Sequence, residues 1–474
     1  MNVLRRQASN LFLVVCALSC GVGTPPTDPE GSPGTVIAFA GVNVIPMDTD
    51  RVLQNQTVLV ADGHVRAIGN AAEIEIPAGA NRIAASGEYL IPALSDMHIH
   101  LEGAAWNAMF PPEAQFPPEA LDFENLLYLY VANGVATVQV MSALPEHIEL
   151  REKINRGELI GPRLVLSRMV DGPGRAWPPP ISTWVSSSEE ARQAVLDIHR
   201  EGYDSIKVYS FLDRESYEAI TTTAGEVGMG VGGHIPYELS LEEVLEAGQT
   251  LIAHSEEVMK FARSPYTQDQ IDDIAKTIAD SGVWITPTLT TSRNILAVFE
   301  DFDGELARPE ARHLHPMDRG IWSFIHTNLY QPIPQEQRTA IRDGFEQFQR
   351  PLTHALSAAG ARLMTGTDAL IPSTVPGFSI HDELTELVDV GLSPYEALRS
   401  STTEPLRFLG DSDQAGTIAV GKRADLVLLE SNPLADVAAT RAISGVMVHG
   451  RWIGRDEIQQ RLEGLAVAYQ AGTH

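Results

Sequence analysis

Two of the chain's 14 histidines, His98 and His100, close an apolar run that reads L-I-P-A-L-S-D-M-H-I-H-L over residues 90–101. In a β-strand, residues two apart point the same way, so both imidazoles can aim at one point while Ile99 packs on the opposite face. Two converging imidazoles at the end of a buried strand are the beginning of a metal site. By number alone the pair means little, because 14 His among 474 residues give about 0.4 chance His-x-His pairs, and context must decide. A second copy, His313-Leu314-His315, lies in the polar stretch E-A-R-H-L-H-P-M-D with no strand pattern before it. That copy reads as ordinary surface or helix-end residues.

Four more polar residues sit in or at the end of apolar runs: Lys207 in D-S-I-K-V-Y-S, His234 in G-V-G-G-H-I-P, His254 in L-I-A-H-S-E-E and Asp368 in L-M-T-G-T-D-A. Lys207 is costly to bury, since a buried lysine needs a charged partner or loses its proton. A neutral lysine can take up carbon dioxide, and the carbamate is an anionic ligand able to bridge two metal ions. Taken singly, Lys207 fits an ion-paired lysine equally well. His234 and His254 each fit a hydrogen-bonded core histidine, and Asp368 fits a helix cap. Six such accidents at matching strand ends are far less expected than one site. Tyr209 shares the face of Lys207, where it could bond a substrate carboxylate or a developing oxyanion, or simply pack in the barrel.

The elements that must position these residues alternate strand and helix. Strands are expected over 93–98, 136–141, 163–169, 205–210, 229–234, 250–254, 283–288 and 362–368. Segments such as S-S-E-E-A-R-Q-A-V-L-D-I-H-R-E-G lie between them, with a capping Ser before acidic residues and a closing Gly. Eight strands alternating with helices predict a parallel (β/α)8 TIM barrel over 92–409, with its chemistry at the C-terminal strand ends. An open doubly wound sheet is the alternative, but no Gly-rich phosphate loop follows the first strand. Short strands and tight turns over 36–91 and 410–460, among them a hairpin about Asp62-Gly63, predict a small β-sandwich domain built from both ends of the chain. The barrel has two long additions: D-G-P-G-R-A-W-P-P-P-I-S-T-W after strand three, and an insertion at about 290–361. The insertion exceeds ordinary loop lengths and reads as a helical lid, whose Trp322, Phe324, His326 and Tyr330 either meet substrate or pack a small core of their own.

With 44% hydrophobic and 20% charged residues the chain reads as a soluble globular protein, and its net charge of −28 argues against nucleic acid or an anionic membrane surface as a partner. At the N-terminus, Arg5 and Arg6 precede a short apolar run over 11–18 that ends at Ala17-Leu18-Ser19-Cys20. This pattern predicts a signal peptide over 1–19, with Cys20 placed as in a bacterial lipoprotein although Ala17 replaces the usual larger aliphatic residue. A Pro/Gly-rich tether follows over 20–35. The expectation is an exported protein, a periplasmic or cell-envelope lipoprotein held to the membrane only through Cys20, with plain secretion as the alternative. Both cysteines, Cys16 and Cys20, lie in this segment, so the mature domain has no thiolate ligand and any metal must be held by His or carboxylate.

The motifs I-P-A-L-S-D-M-H-I-H, V-A-N-G-V-A-T-V, D-S-I-K-V-Y, G-G-H-I-P, L-I-A-H, T-G-T-D-A and G-K-R-A-D-L-V-L-L resemble the amidohydrolase superfamily, in particular its imidazolonepropionase- and prolidase-like branch. The resemblance covers about 36–452. It implies two divalent ions, zinc being the best match to the donors with manganese or cobalt as alternatives. His98, His100 and Asp368 would bind one ion, His234 and His254 the second, and carboxylated Lys207 would bridge them. It further implies attack by a metal-bridging hydroxide on a C–N (amide or peptide) bond, with Asp368 carrying the proton to the leaving nitrogen. The expected substrate is a small molecule or a dipeptide, Xaa-Pro included, as for a dipeptidase or prolidase. Hydrolysis of a cyclic amide, lactone or phosphotriester is the alternative chemistry, and a catalytically silent ligand-binding lipoprotein the alternative class. A homo-oligomer is compatible with the sequence. Two departures bear on substrate: Val138-Gln139-Val140-Met141 stands where many relatives have an Arg-Asp pair, and Ala253 stands where relatives have Glu. His381, in S-I-H-D-E-L, matches a recurrent family position without a defined role.

Overall fold

The computed structural model describes residues 36–112, 115, 122–174 and 177–471. The expected signal peptide, Cys20 and the tether lie outside the described residues.

Strands β1 (Ile37–Val44), β2 (Leu53–Ala61), β3 (His64–Asn70), β4 (Asn81–Ala84) and β5 (Tyr89–Pro92) come from the N-terminal side of the barrel. The barrel then supplies β6 (Leu94–Ile99), β7 (Val135–Val140), β8 (Arg163–Asp171), β9 (Thr183–Trp184), β10 (Ser205–Val208), β11 (Gly230–Gly233), β12 (Leu251–Ala253), β13 (Trp284–Thr286) and β14 (Arg362–Leu363). The chain closes with β15 (Leu426–Leu429), β16 (Ile443–Val448) and β17 (Arg451–Gly454).

The first and last groups form one mixed sheet in the order β17-β16-β15-β5-β1-β2-β3, with β4 also on β1. Asp62 and Gly63 between β2 and β3 both have positive φ, which is what the tight twisted hairpin needs and why an Asp-Gly pair marks it. The sheet encloses its own apolar core, with Phe39, Val58, Leu90, Leu426 and Met447 buried and Trp452 edge-on to Phe39 at 5.1 Å. β5 pairs with β15 residue by residue, so the chain passes straight from this domain into the barrel through Ala93.

The barrel strands run parallel in the order β14-β13-β12-β11-β10-β8-β7-β6, with the short β9 on β8. Closure comes from backbone hydrogen bonds of Met97 N to Thr365 O (2.9 Å) and Asp368 N to His98 O (2.7 Å). The helix Ser188–Glu201 shows why the strands are spaced as they are: Ser187 caps its first turn and Gly202, at φ 89°, ends it, returning the chain to β10. The eighth strand is shorter than expected, since pairing with β13 stops at Leu363. Beyond it, Thr365 Oγ1 donates to backbone carbonyls and Asp368 adopts φ 55°, which extended pairing does not allow.

The insertion between β13 and β14 is helical. Its helix Pro316–Ile325 packs Met317, Ile321 and Ile325 against Trp106 and Phe110 from the segment after β6. Trp322 is buried and donates to Leu370 O, Phe324 meets Phe110, His326 stacks on Phe302 and Tyr330 meets Phe299. None of the four lines the cavity at the barrel mouth.

Candidate active site

Five of the six ligand candidates arrive at or just beyond the C-terminal end of a strand, and the sixth, Asp368, follows β14 after four further residues. His98 ends β6 with Ile99, which packs into the main apolar core, and His100 follows directly. Lys207 is in β10 and is 1% exposed. His234 and His254 stand one residue beyond β11 and β12, and Asp368 lies in the segment after β14. His254, Thr288 and Asp368 all have positive φ, a clustering of backbone strain at the ends of three adjacent strands. Glycine is required beside them: a Cβ at Gly366 would stand 2.7 Å from the His98 Cβ, and one at Gly233 would stand 2.3 Å from the Val208 carbonyl oxygen. The T-G-T-D and G-G-H motifs are thus close-approach motifs.

The structure brings the candidates together. His98, His254 and Asp368 offer ligand atoms all within 4.8 Å of one another. Asp368 Oδ1 is 3.2 Å from His98 Nε2 and 2.9 Å from His100 Nε2. Lys207 Nζ is 3.2 Å from His98 Nε2. The rings of His98 and His254 are 4.5 Å apart, and those of His234 and His254 5.0 Å. Tyr209 lies against His234 at 3.9 Å.

Sequence reasoning did not find the residues that orient these imidazoles. Glu102 Oε1 is 2.5 Å from His100 Nδ1, and Ser142 Oγ bonds both groups. Glu257 Oε1 is 3.2 Å and Ser210 Oγ 3.1 Å from His234 Nδ1. Thr288 Oγ1 donates to Pro287 O, so it accepts from His254 Nδ1–H at 2.8 Å, which leaves the lone pair on Nε2. In three of the four histidines, then, Nδ1 is anchored outward and Nε2 points into the cluster. His98 Nδ1 alone has no partner among the described residues. Outward anchoring of one ring nitrogen to carboxylate or hydroxyl is the arrangement that suits imidazoles holding a metal through the other. The donor set therefore fits a divalent ion. Glu102 stands two residues after His100 and Glu257 three after His254, so their proximity in sequence was the available signal.

Burial holds His98 well below its ordinary pKa and takes His254 down to about 3, keeping both neutral. His100 goes the other way: burial depresses it, but Glu102 and Asp368 outweigh that and carry it up to about 9. Burial opposes ionisation of Asp368, yet the surrounding imidazoles hold its carboxyl well below the carboxylate range. Burial brings Lys207 down to about 8. No carboxylate forms an ion pair with Lys207 among the described residues, so its bland reading as an ion-paired lysine has no partner here. Burial also pushes the Tyr209 hydroxyl up, which keeps the phenol protonated.

His100, Lys207, Tyr209, His234, His254 and Asp368 line a cavity of about 170 Å³ that also includes Trp106, Trp177, Glu256, Thr291, Leu370 and Ile371, with His98 buried behind it. Met141, just beyond β7, is buried in the apolar cluster of Met97, Leu251 and Met364. His381 is buried away from the cavity, with Nδ1 3.0 Å from Thr440 Oγ1. Of the decoy pair, His313 Nδ1 meets Leu462 O at 3.1 Å, and His315 caps the helix Pro316–Ile325.

The family model described as "Amidohydrolase family" matches residues 89–453. No curated protein matches the chain. Among solved structures, a Xaa-Pro dipeptidase with bound methionine in its active site superimposes with TM-score 0.70 at 19% identity, covering 89% of this chain and 100% of that one. A prolidase complexed with N-methylphosphonate-L-proline gives TM-score 0.68 at 20% identity, covering 89% and 100%. A bottromycin amidohydrolase gives TM-score 0.69 at 24% identity, covering 92% and 91%. At these identities the likeness concerns the fold.

Proposed function

Since the chain belongs to the amidohydrolase family and is a hydrolase of C–N bonds, we propose that it is a metal-dependent amidohydrolase of small amides, with dipeptides, Xaa-Pro included, as the favoured substrates. The observation that carries this reading is the outward anchoring of Nδ1 in His100, His234 and His254, which leaves Nε2 of each free to act as a ligand beside the cluster of His98, His254 and Asp368. His98, His100 and Asp368 would hold one ion and His234 and His254 a second, zinc being the best match to these donors. Lys207, depressed by burial and without a carboxylate partner, would bridge them as its carbamate. When bound, such ions supply Lewis acidity, lowering the pKa of water and polarising a carbonyl.

The remaining work belongs to side chains. Asp368 Oδ1 is engaged by two imidazoles, which leaves Oδ2 to take the proton of the attacking water and deliver it to the leaving nitrogen. Tyr209, held protonated, donates a hydrogen bond to the substrate oxygen that gains charge. Trp106, Leu370 and Ile371 exclude water around the reacting group. The two dipeptidase-like neighbours and their ligands support the choice of dipeptides. Export and anchoring through Cys20 complete the proposal; a Cys20→Ser chain that still fractionates with membranes would refute the anchor.

The test is a metal-reconstituted screen of dipeptides, N-acyl amino acids, lactones and phosphotriesters, run beside Asp368→Asn and Lys207→Ala. Asp368→Asn is expected to abolish turnover with the fold intact, and Lys207→Ala to lose at least one bound ion by metal analysis. Full turnover by Asp368→Asn, or hydrolysis confined to lactones or phosphotriesters, would overturn the reading.

A further inference from the structure

Beside the imidazoles, the cavity wall includes the rings of Trp106, Trp177 and Tyr209 and the Glu256 carboxyl. Trp106 and Trp177 meet edge to face at 5.3 Å, and the Trp177 side chain hydrogen-bonds to Tyr209. Glu256 opens the short helix Glu256–Met259, two residues after His254, and is exposed on this cavity. Its neighbour Glu257 is fully engaged, by His234, by Lys260 Nζ at 2.8 Å and by the Ile235 N–H at 2.7 Å. Glu256 has none of these: among the described residues it accepts no hydrogen bond and forms no ion pair. Lys260, the nearby cation, is spent on Glu257, on Ile235 O and on the Tyr237 ring.

The opposite charge is missing from the same wall. Among the described residues that line the cavity there is no guanidinium, the one lysine is Lys207, buried against His98, and the His100 imidazolium is engaged by Glu102 and Asp368. Met141, which follows β7, is buried in an apolar cluster with Met97, Leu251 and Met364. A free carboxylate on a substrate would therefore find no fixed positive partner on this wall. An ammonium group would find the Glu256 carboxyl, which burial and the nearby Glu257 and Asp368 push up to about 7 and which a bound cation would hold ionised, together with the negative faces of nearby rings.

We propose that Glu256, with Trp106, Trp177 and Tyr209, forms a subsite for an ammonium group, so that the enzyme selects amides carrying a protonated amine and does not require a free carboxylate. This rests on the amidohydrolase reading and names the substrate class for it. The ammonium could be the α-amine of an aminoacyl amide or a basic side chain, and the two are separable by experiment.

The metal-loaded enzyme is assayed on a dipeptide it hydrolyses, on the same dipeptide acetylated at the amine, and on the same dipeptide amidated at the carboxyl. Acetylation is expected to lower kcat/KM by roughly 10- to 100-fold, mostly through KM, while amidation changes it by less than about threefold. Glu256→Gln should shrink the penalty for acetylation by most of that factor, whereas a merely structural defect would lower all three substrates together. Binding of L-alaninamide and of Nα-acetyl-L-lysinamide, followed by tryptophan fluorescence, separates α-amine from side-chain amine, with N-acetyl-L-alaninamide as the neutral control. At least one cationic probe should bind about tenfold more tightly than the control, and Glu256→Gln should remove the difference. Equal binding of the three probes, or an acetylation penalty that Glu256→Gln leaves intact, overturns the subsite while leaving the hydrolase reading in place. Hydrolysis of no amide at all overturns the hydrolase reading, and the probe titration still decides the subsite.

Discussion

His98-Ile99-His100 and His313-Leu314-His315 are the same pattern in two settings. The first ends β6 inside a closed barrel, where Lys207, His254 and Asp368 from three other strands lie against it. The second straddles the start of a helix in the insertion, where His313 stacks on Phe378 and bonds Leu462 O, and His315 caps a backbone N–H. In the first, the ring nitrogens facing inward meet other titratable groups. In the second, each ring is occupied by backbone and aromatic neighbours. The difference teaches that the pattern sets only which way two rings point; the chemistry comes from what distant strands bring to that point.

The sharpest way to break the comparison is to truncate both pairs. His98→Ala and His100→Ala should each abolish turnover and lower bound metal, whereas His313→Ala and His315→Ala should keep turnover within about twofold because both lie away from the site, although His313 is buried and not the surface residue that the sequence suggests. Metal content and kcat/KM for the four variants check this. Full activity of His98→Ala, or loss of metal from His315→Ala, would remove the distinction. A smaller effect is expected one layer out, where Glu102 orients His100 of the first pair and Glu257 orients His234 of the same cluster, and nothing comparable among the described residues holds the second pair. Glu102→Gln and Glu257→Gln keep shape but lose charge, and each should cost roughly 10- to 100-fold in metal affinity or activity. If both titrate metal like the parent chain, the outward anchoring of Nδ1 has no functional weight.

His381 sharpens the contrast further, because its local arrangement copies that of His254. Thr440 Oγ1 donates to Val437 O and so accepts from His381 Nδ1–H, just as Thr288 does for His254. Nε2 of His381, however, is buried with no partner among the described residues, whereas that of His254 faces the cavity. Burial, with Arg441 beside it, takes the His381 pKa from 6.5 down to about 3. A folded-state pKa below the unfolded value means that the unfolded chain binds the proton first. Stability is then fully present above about pH 6.5 and is lost as pH falls toward 3. Between pH 7 and pH 5 this one group should cost roughly 2 kcal/mol. A His381→Asn variant, which cannot titrate, should lose less stability by that amount in denaturant melts at the two pH values. Parallel losses in the two proteins would show that His381 is not held neutral.

The strand ends were the legible part of this molecule. Lys207 and Asp368 are polar residues in apolar runs, and a barrel puts all such ends on one face, so their convergence follows from alternation alone. The hairpin at Asp62-Gly63 and the helix closed by Gly202 were equally local. What was not legible depends on contacts between segments far apart in the chain. Ser142 reaches Glu102 across 40 positions, and Trp106 meets Trp177 only because the insertion packs over both segments. Glu256 could not be told from Glu257 by sequence, since they are adjacent and identical. Only the fold turns one toward His234 and the other toward the cavity. The short eighth strand was also hidden, because the strand expected from the sequence runs on to residue 368 whereas pairing with β13 stops at Leu363.

The smallest effect belongs to the decoy itself. His315 Nδ1 accepts from the Met317 N–H at 3.2 Å, satisfying one of the donors left open at the start of the helix Pro316–Ile325. Alanine there removes the acceptor but no chemistry, so the expected cost is about 0.5–2 kcal/mol of stability, with Asn or Asp able to restore it. Protonation of His315 also removes the acceptor, so the cap should weaken on its own as pH falls through the range in which the imidazole titrates. Thermal melts of His315→Ala and His315→Asn at pH 8 and at pH 5 separate the cases. The alanine variant should differ from the parent chain more at pH 8 than at pH 5, and the asparagine variant should stay stable at both. A His315→Ala variant as stable as the parent at pH 8 would mean that the second His-x-His pair has no structural role either.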